Sequence, residues 1–303
     1  MEINLGYWII EYVKVFLGYG FLMFLWPSAV FRKYLKGKSA TFRFGFCVSA
    51  QVVIVSTVVL LLGLLHILNS WTMCIFFFGT LIWAFWDELK LTEEKRKKIK
   101  YFVTGTLGIK QCLLQCSQAI VSALKRALGV VWKFYKQHWL EYTLLAVTVI
   151  YGMIYFSWGA FHDPSYAFSD AYTHHSWIYQ LAQGVPFSSG IYPEGMHCFV
   201  YAVYALFGVR LYSCMLFLPV INLASTLLAA YCFMKEIFKW RYSAILALLV
   251  LLTLNIPGRY IIISIARMQC ALPQEFAFPQ VFLCAMFLLR YLKSDKHIMR
   301  KGK

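Results

Sequence analysis

Ser169-Asp-Ala-Tyr-Thr-His-His-Ser-Trp-Ile-Tyr-Gln-Leu-Ala-Gln-Gly184, followed by Tyr192-Pro-Glu-Gly-Met-His197, is the polar centre of an otherwise apolar chain. Apolar segments long enough to cross a bilayer lie on both sides of it, yet residues 161–208 hold Asp163, Asp170, Glu194 and four of the seven histidines. No Lys or Arg occurs among residues 137–209, although the 303-residue chain carries 29 of them. A basic chain loses its cations over so long a stretch where that stretch is moved across a membrane.

Composition sets the class. With 61% hydrophobic, 18% aromatic and only 14% charged residues, the chain is more apolar than a soluble domain of its length requires, and reads as an integral membrane protein. The formal charge of +16 argues for anionic lipid headgroups and against nucleic acid, because the basic residues cluster in the gaps between apolar runs. Nine cysteines sit mostly inside apolar runs, as small buried hydrophobes do, so no disulfide framework is implied. Cys112 and Cys116 share a helical face without a nearby histidine and are a weak metal signal. The N-terminus lacks both a basic leader and a small-residue cleavage pattern, and reads as a retained span.

A crossing needs about 20 mostly apolar residues. Runs at 7–26, 46–67, 71–86, 140–158, 211–234, 242–256 and 276–292 meet or approach that length, giving an all-α polytopic fold of about seven transmembrane helices. Glu11 and Lys14 fall inside the first run, one turn apart and able to pair. Residues 196–207 are apolar but too few to cross, and are expected as an interfacial or re-entrant helix on the outer face. With the N-terminus outside and the C-terminus cytoplasmic, 25 of the 29 basic residues lie in or beside cytoplasmic segments. That is the expected arrangement in a plasma or inner membrane. Three regions follow: a three-span part at 1–86, a basic segment at 87–137, and a core at 138–303 whose outer loop spans 159–210. Within the basic segment, Ile109, Leu113, Cys116, Ile120, Leu124 and Val131 alternate with Lys110, Lys125, Arg126 and Lys133 as on a helix lying along a membrane surface.

In the outer loop, Phe168-Ser-Asp170 reads as the entry to a helix ending near Gln183, with Gly184 as its stop. On it Asp170, His174, Trp177 and Leu181 share one face, and Tyr172, His175 and Tyr179 another. Asp170 suits two roles, helix N-cap and general base. Glu194 and His197 begin the next short helix near the same surface. Carboxylates, imidazoles and aromatic faces in one water-facing pocket fit proton abstraction from a hydroxyl beside a bound sugar. Asp163, Asp170 and the histidines also have donor types for a divalent ion such as Mg or Mn, although no ligand spacing is diagnostic.

These residues carry a family resemblance. An outward span, the acidic residue in Ser-Asp-Ala-Tyr-Thr-His-His-Ser-Trp-Ile, a short amphipathic helix ending in Gly, the Tyr-Pro-Glu-Gly turn, a second short helix ending Leu-Phe-Gly208 and an inward span ending Lys-Glu-Ile-Phe-Lys-Trp-Arg241 resemble the GT-C class of membrane glycosyltransferases. Oligosaccharyltransferases, protein mannosyltransferases and lipid A aminoarabinose transferases belong to that class. The resemblance covers residues 138–293. It implies a GT-C-like core, a polyprenyl-phosphate-linked sugar donor, a glycan or lipid acceptor, and a catalytic carboxylate in the first outer loop of the core. By position that carboxylate is Asp170, with Asp163 second. The departing lipid phosphate would then meet an arginine, with Arg259, Arg267 and Arg210 as candidates; snorkelling at a helix end explains them equally well. His174 would orient Asp170 or meet the acceptor. Tyr172, Trp177 and Tyr192 would stack on sugar, and His175, Glu194 and His197 complete the substrate-binding set.

The chain departs from the class in having three spans before the core and only four within it. A longer enzyme or a partner subunit is therefore expected to complete it. A transporter, flippase or accessory subunit handling lipid-linked saccharides is the competing expectation, distinguished by ionisable groups buried within its spans.

Overall fold

The computed structural model describes residues 5–86, 118, 121, 125, 129, 132, 135, 136, 138–162, 165, 166, 170–188, 190, 193–253 and 265–301. All regular structure among them is helical. Five helices are long and apolar enough to cross a membrane: α1 (Leu5–Val30), α2 (Ala40–Leu64), α4 (Trp139–His162), α7 (Leu211–Ile237) and the Pro273–Ser294 part of α9 (Pro273–Lys301). The third and sixth expected spans correspond to shorter helices, α3 (Ser70–Ala84, 15 residues) and α8 (Ser243–Thr253, 11 residues). Two further helices, α5 (Asp170–Ala182) and α6 (Gly195–Phe207), lie between α4 and α7. The chain divides into one compact unit of residues 1–81 with 145–303 and a second of residues 82–144. The amphipathic pattern expected at 109–133 and the pair Cys112 and Cys116 lie outside the described residues.

In the larger unit α7 is the central post. It is 78% buried over its spanning length, against 28–33% for the other four long helices, whose remaining faces are apolar and open to lipid. Helix α1 runs parallel to it, with Trp8 against Phe217 and the Tyr19 hydroxyl beside Asn222 and Ser225. The expected pairing of Glu11 with Lys14 forms, at 3.2 Å. The second Glu11 oxygen accepts the backbone N–H of Arg210 at 3.1 Å, so a buried carboxylate of α1 sits on the start of α7, where the helix dipole favours negative charge.

Local sequence explains the irregularities. Pro27 has no N–H to offer the carbonyl one turn back, and α1 widens into a π turn at Phe21–Leu25, with the Trp26 N–H bonded to Phe21 O. Asn69 and Thr72 cap α3 reciprocally, each side chain accepting the other's backbone N–H. Gly45 brings α2 against α9, where an added Cβ would lie 2.6 Å from the Phe287 ring. Phe42 meets the same ring, and one turn on Arg290 pairs with Glu236 at the end of α7. The basic residues Lys38, Arg43, Lys235, Arg241, Arg290 and Lys293 therefore gather at one end of this unit, away from Glu11 and Arg210.

Helix α6 differs most from expectation in its surroundings. It is short, as anticipated, but nine of its thirteen residues are buried, and it packs against α1, α2, α5, α7 and α9. Its first residue, Gly195, lies against Val52 at the middle of α2. The helix is an internal strut of the bundle.

Candidate functional site

Among the described residues helix α5 spans Asp170–Ala182 and is followed by Gly184 at φ +84°, a left-handed stop that suits glycine. Ala171, His174, Ile178 and Leu181 form its buried face; Asp170, Tyr172 and Tyr179 are exposed. His174 thus faces the core while Asp170, one turn toward the helix start, faces water.

Three of the anticipated site residues meet beneath α5. His197 Nδ1 lies 2.6 Å from Glu194 Oε2, and His197 Nε2 lies 2.9 Å from His174 Nδ1. All three side chains are buried, His197 completely. The Trp177 ring stands edge-on to both imidazoles, at 5.1 Å from His174 and 5.7 Å from His197. Donor counting assigns the protons. An ionised Glu194 accepts from His197 Nδ1–H, and His197 Nε2 then accepts from His174 Nδ1–H. Burial, reinforced by the nearby His197, lowers the pKa of His174 to about 4, against an opposing pull from Asp170 and Glu194. The imidazole is therefore neutral at pH 7.

The remaining candidates are dispersed. His175, half-buried, has Nδ1 3.0 Å from the Tyr166 hydroxyl; burial lowers the imidazole pKa and raises that of the phenol. Arg210 is exposed at the start of α7 with its guanidinium 4.8 Å above the Tyr7 ring. Arg267, in the 3-10 turn Ile265–Gln269, has Nε 2.8 Å from Oε1 of Glu275, a buried carboxylate that the sequence reading passed over. Glu275 and Met196 line a cavity of ≈ 10 Å³, about the room one water needs. Asp163, Tyr192 and Arg259 lie outside the described residues.

Comparison of the chain with protein-family models, curated proteins and solved structures finds no match. Function must be argued from the site itself.

Among the described residues no three His, Cys, Asp or Glu side chains converge as metal ligands do. Glu194, His197 and His174 are strung in series, a carboxylate orienting one imidazole that in turn orients another. That geometry fixes tautomers and favours movement of protons. Gln51, fully buried on α2 with neither amide atom hydrogen-bonded, was also missed; an isolated Gln in an apolar run gives no signal of its neighbours.

Proposed function

We propose that this protein is an integral membrane glycosyltransferase of GT-C type, moving a sugar from a polyprenyl-phosphate-linked donor to a cell-surface glycan or lipid. The observation that carries the reading is the placement of Asp170: an exposed carboxylate on α5, one turn from His174 of the buried His174–His197–Glu194 chain and two turns from Trp177. Asp170 takes the acceptor hydroxyl proton as that oxygen attacks the anomeric carbon and the lipid phosphate leaves. Trp177 and Tyr172 offer aromatic faces to sugar. Arg210, Arg259 and Arg267 are the candidates to supply charge to the leaving phosphate, and Arg267 is paired with Glu275. In this reading the seven-span arrangement holds, with α3 and α8 as its shorter members. The basic end of the larger unit faces the cytoplasm and Asp170 the outside of a plasma or inner membrane.

Transfer of radiolabelled sugar from polyprenyl-phosphate donors to lipid or glycan acceptors, in membranes carrying the chain, tests this. Asp170→Asn is expected to lower the rate by about 10²- to 10⁴-fold at matched expression. Transfer indifferent to Asp170→Asn and to Asp163→Asn would sink the assignment.

A second reading, a transporter or flippase of lipid-linked saccharides, draws on one specific observation. Ionisable side chains are buried among span-length helices, where they are costly and mark pathways for protons and substrates. Movement of an intact lipid-linked sugar across vesicles, with no sugar transferred, would select it.

A further inference from the structure

Three helix termini meet at the basic end of the larger unit. Helix α7 stops at Ile237, α8 starts at Ser243, and the spanning part of α9 closes at Ser294. Apolar helices end where hydrocarbon gives way to headgroups. Trp240 and Tyr242, with ring centroids 5.6 Å apart in the link from α7 to α8, are of the residue types that settle at that depth. Between the end of α7 and the late turns of α9 opens a cavity of ≈ 600 Å³, within the size range of small-ligand sites.

The wall of this cavity has two characters. Lys235, Lys239 and Lys293 supply charge, while Ile237, Phe238 and Leu289 supply apolar surface. The carboxylate on the wall is Glu236, and Arg290 of α9 already pairs with it, Nε lying 2.7 Å from Oε1. Lys293 Nζ donates to the Glu236 carbonyl, where a cation offsets the negative end of the α7 dipole. An ammonium carries three donors, so this bond does not exhaust Lys293. Lys235 donates to the Arg241 carbonyl at 3.4 Å, and Lys239 is exposed beyond the last turn of α7.

An excess of cations at one end suffices to orient a membrane chain; it does not require that they converge on a cavity, or that large apolar side chains stand open between them. Ile237 and Phe238 are 46% and 44% exposed. We propose that the cavity binds one anionic glycerophospholipid of the surrounding leaflet, with its phosphate among Lys235, Lys239 and Lys293 and the start of its acyl chains along Ile237, Phe238 and Leu289. Other occupants satisfy only part of this wall. A free phosphate ion makes no use of the apolar side, and a zwitterionic lipid brings an ammonium of its own that the lysines repel. A phosphodiester with no compensating cation, tethered to hydrocarbon, meets both sides at once. Bound there, it bridges the link after α7 to α9 and stabilises the bundle by mass action. The site does not rest on sugar transfer, since a transferase and a transporter would hold such a lipid alike.

Native mass spectrometry of the full chain in detergent, titrated with phosphatidylglycerol and with phosphatidylcholine of the same acyl chains, tests the site. One phosphatidylglycerol should bind ahead of further lipids and more tightly than phosphatidylcholine. Lys239→Gln together with Lys293→Gln should weaken that first binding by about 30-fold. Lys36→Gln together with Lys38→Gln removes the same charge from the loop after α1 and should change it by less than about 2-fold. Equal losses in the two double variants, or no loss in the first, would overturn the site in favour of diffuse attraction to a basic surface. Should the change at Lys293 prevent folding, Lys239→Gln alone, outside any helix, should still weaken binding by about 5-fold, and unchanged binding would overturn the proposal. Glycerol 1-phosphate, which carries the phosphate without the chains, should fail to displace the lipid at equal concentration. Displacement by it would overturn the lipid assignment in favour of a soluble phosphate.

Discussion

Asn222 joins three helices through one side chain. Pro279 has no N–H, so the Glu275 carbonyl one turn back in α9 lacks its helical donor; Asn222 Nδ2 lies 3.3 Å from that oxygen and 3.3 Å from Phe276 O. Its Oδ1 accepts from the Tyr19 hydroxyl of α1 at 2.9 Å. Asn222→Leu keeps the volume but strands these groups in an apolar interior, and should lower stability by about 1–3 kcal/mol, read from unfolding in detergent. His174 makes a pH-dependent prediction. Its folded pKa of about 4 lies below the 6.5 of a free imidazole, so the unfolded chain binds the extra proton between those values. Stability should hold above about pH 6.5, fall by about 3 kcal/mol as pH drops toward 4, and level off below. His174→Gln should flatten that slope, measured as unfolding midpoint against pH. Residue types at the site were legible because Asp, Glu and His stand out in so apolar a chain. Their partnerships were not: His174 meets His197 across 23 positions, and only the packing of α5 on α6 brings them together.

At the level of helices, close approach is written in glycine. Gly45→Ala would place a methyl 2.6 Å from the Phe287 ring, and overpacking of this kind costs about 1–3 kcal/mol. Phe287→Leu in the same chain should recover most of the loss, and a double-mutant cycle on thermal stability checks the coupling. The end of α5 followed from a local signal, a glycine stop, and the structure places it just before Gly184; the expected entry at Phe168 and Ser169 lies outside the described residues. The setting of α6 did not follow. Twelve mostly apolar residues between Gly195 and Gly208 read alike whether they lie on a membrane surface or inside a bundle, and the choice is made by Gly18 and Val52 on helices far away in sequence. Arg267 carried the same ambiguity, since a lone arginine does not reveal that Glu275 is waiting for it.

Across the larger unit, charge is segregated. The loop after α1, the end of α7 and the late turns of α9 share one end through Phe42, Phe287, Arg290 and Glu236. Cysteines placed singly at Lys38 and Trp240, in a background without native cysteines, should resist a membrane-impermeant maleimide in intact cells, whereas cysteines at His66 and Tyr179 should react. Labelling of both sets, or of the basic end alone, would reverse the orientation. The long apolar helices were the most legible part of the sequence, because length and hydropathy act locally. That α3 and α8 fall short of a full crossing depends on where helices stop, a weaker signal.

The internal setting of α6 bears on how the chain is made. A segment of thirteen residues is too short to be delivered into lipid as a span of its own, so the insertion machinery cannot place it while it is being synthesised. Its earlier neighbours, α1 and α2, are already in place when it emerges, but α7 and α9 are not. The faces of Met196 and Phe199 that meet α9 must wait for the last helix to arrive. Burial of Glu194, His197 and His174 is thus completed late in biogenesis, and a ribosome that stops before α9 releases a chain with α6 unsheltered, a ready target for membrane proteases.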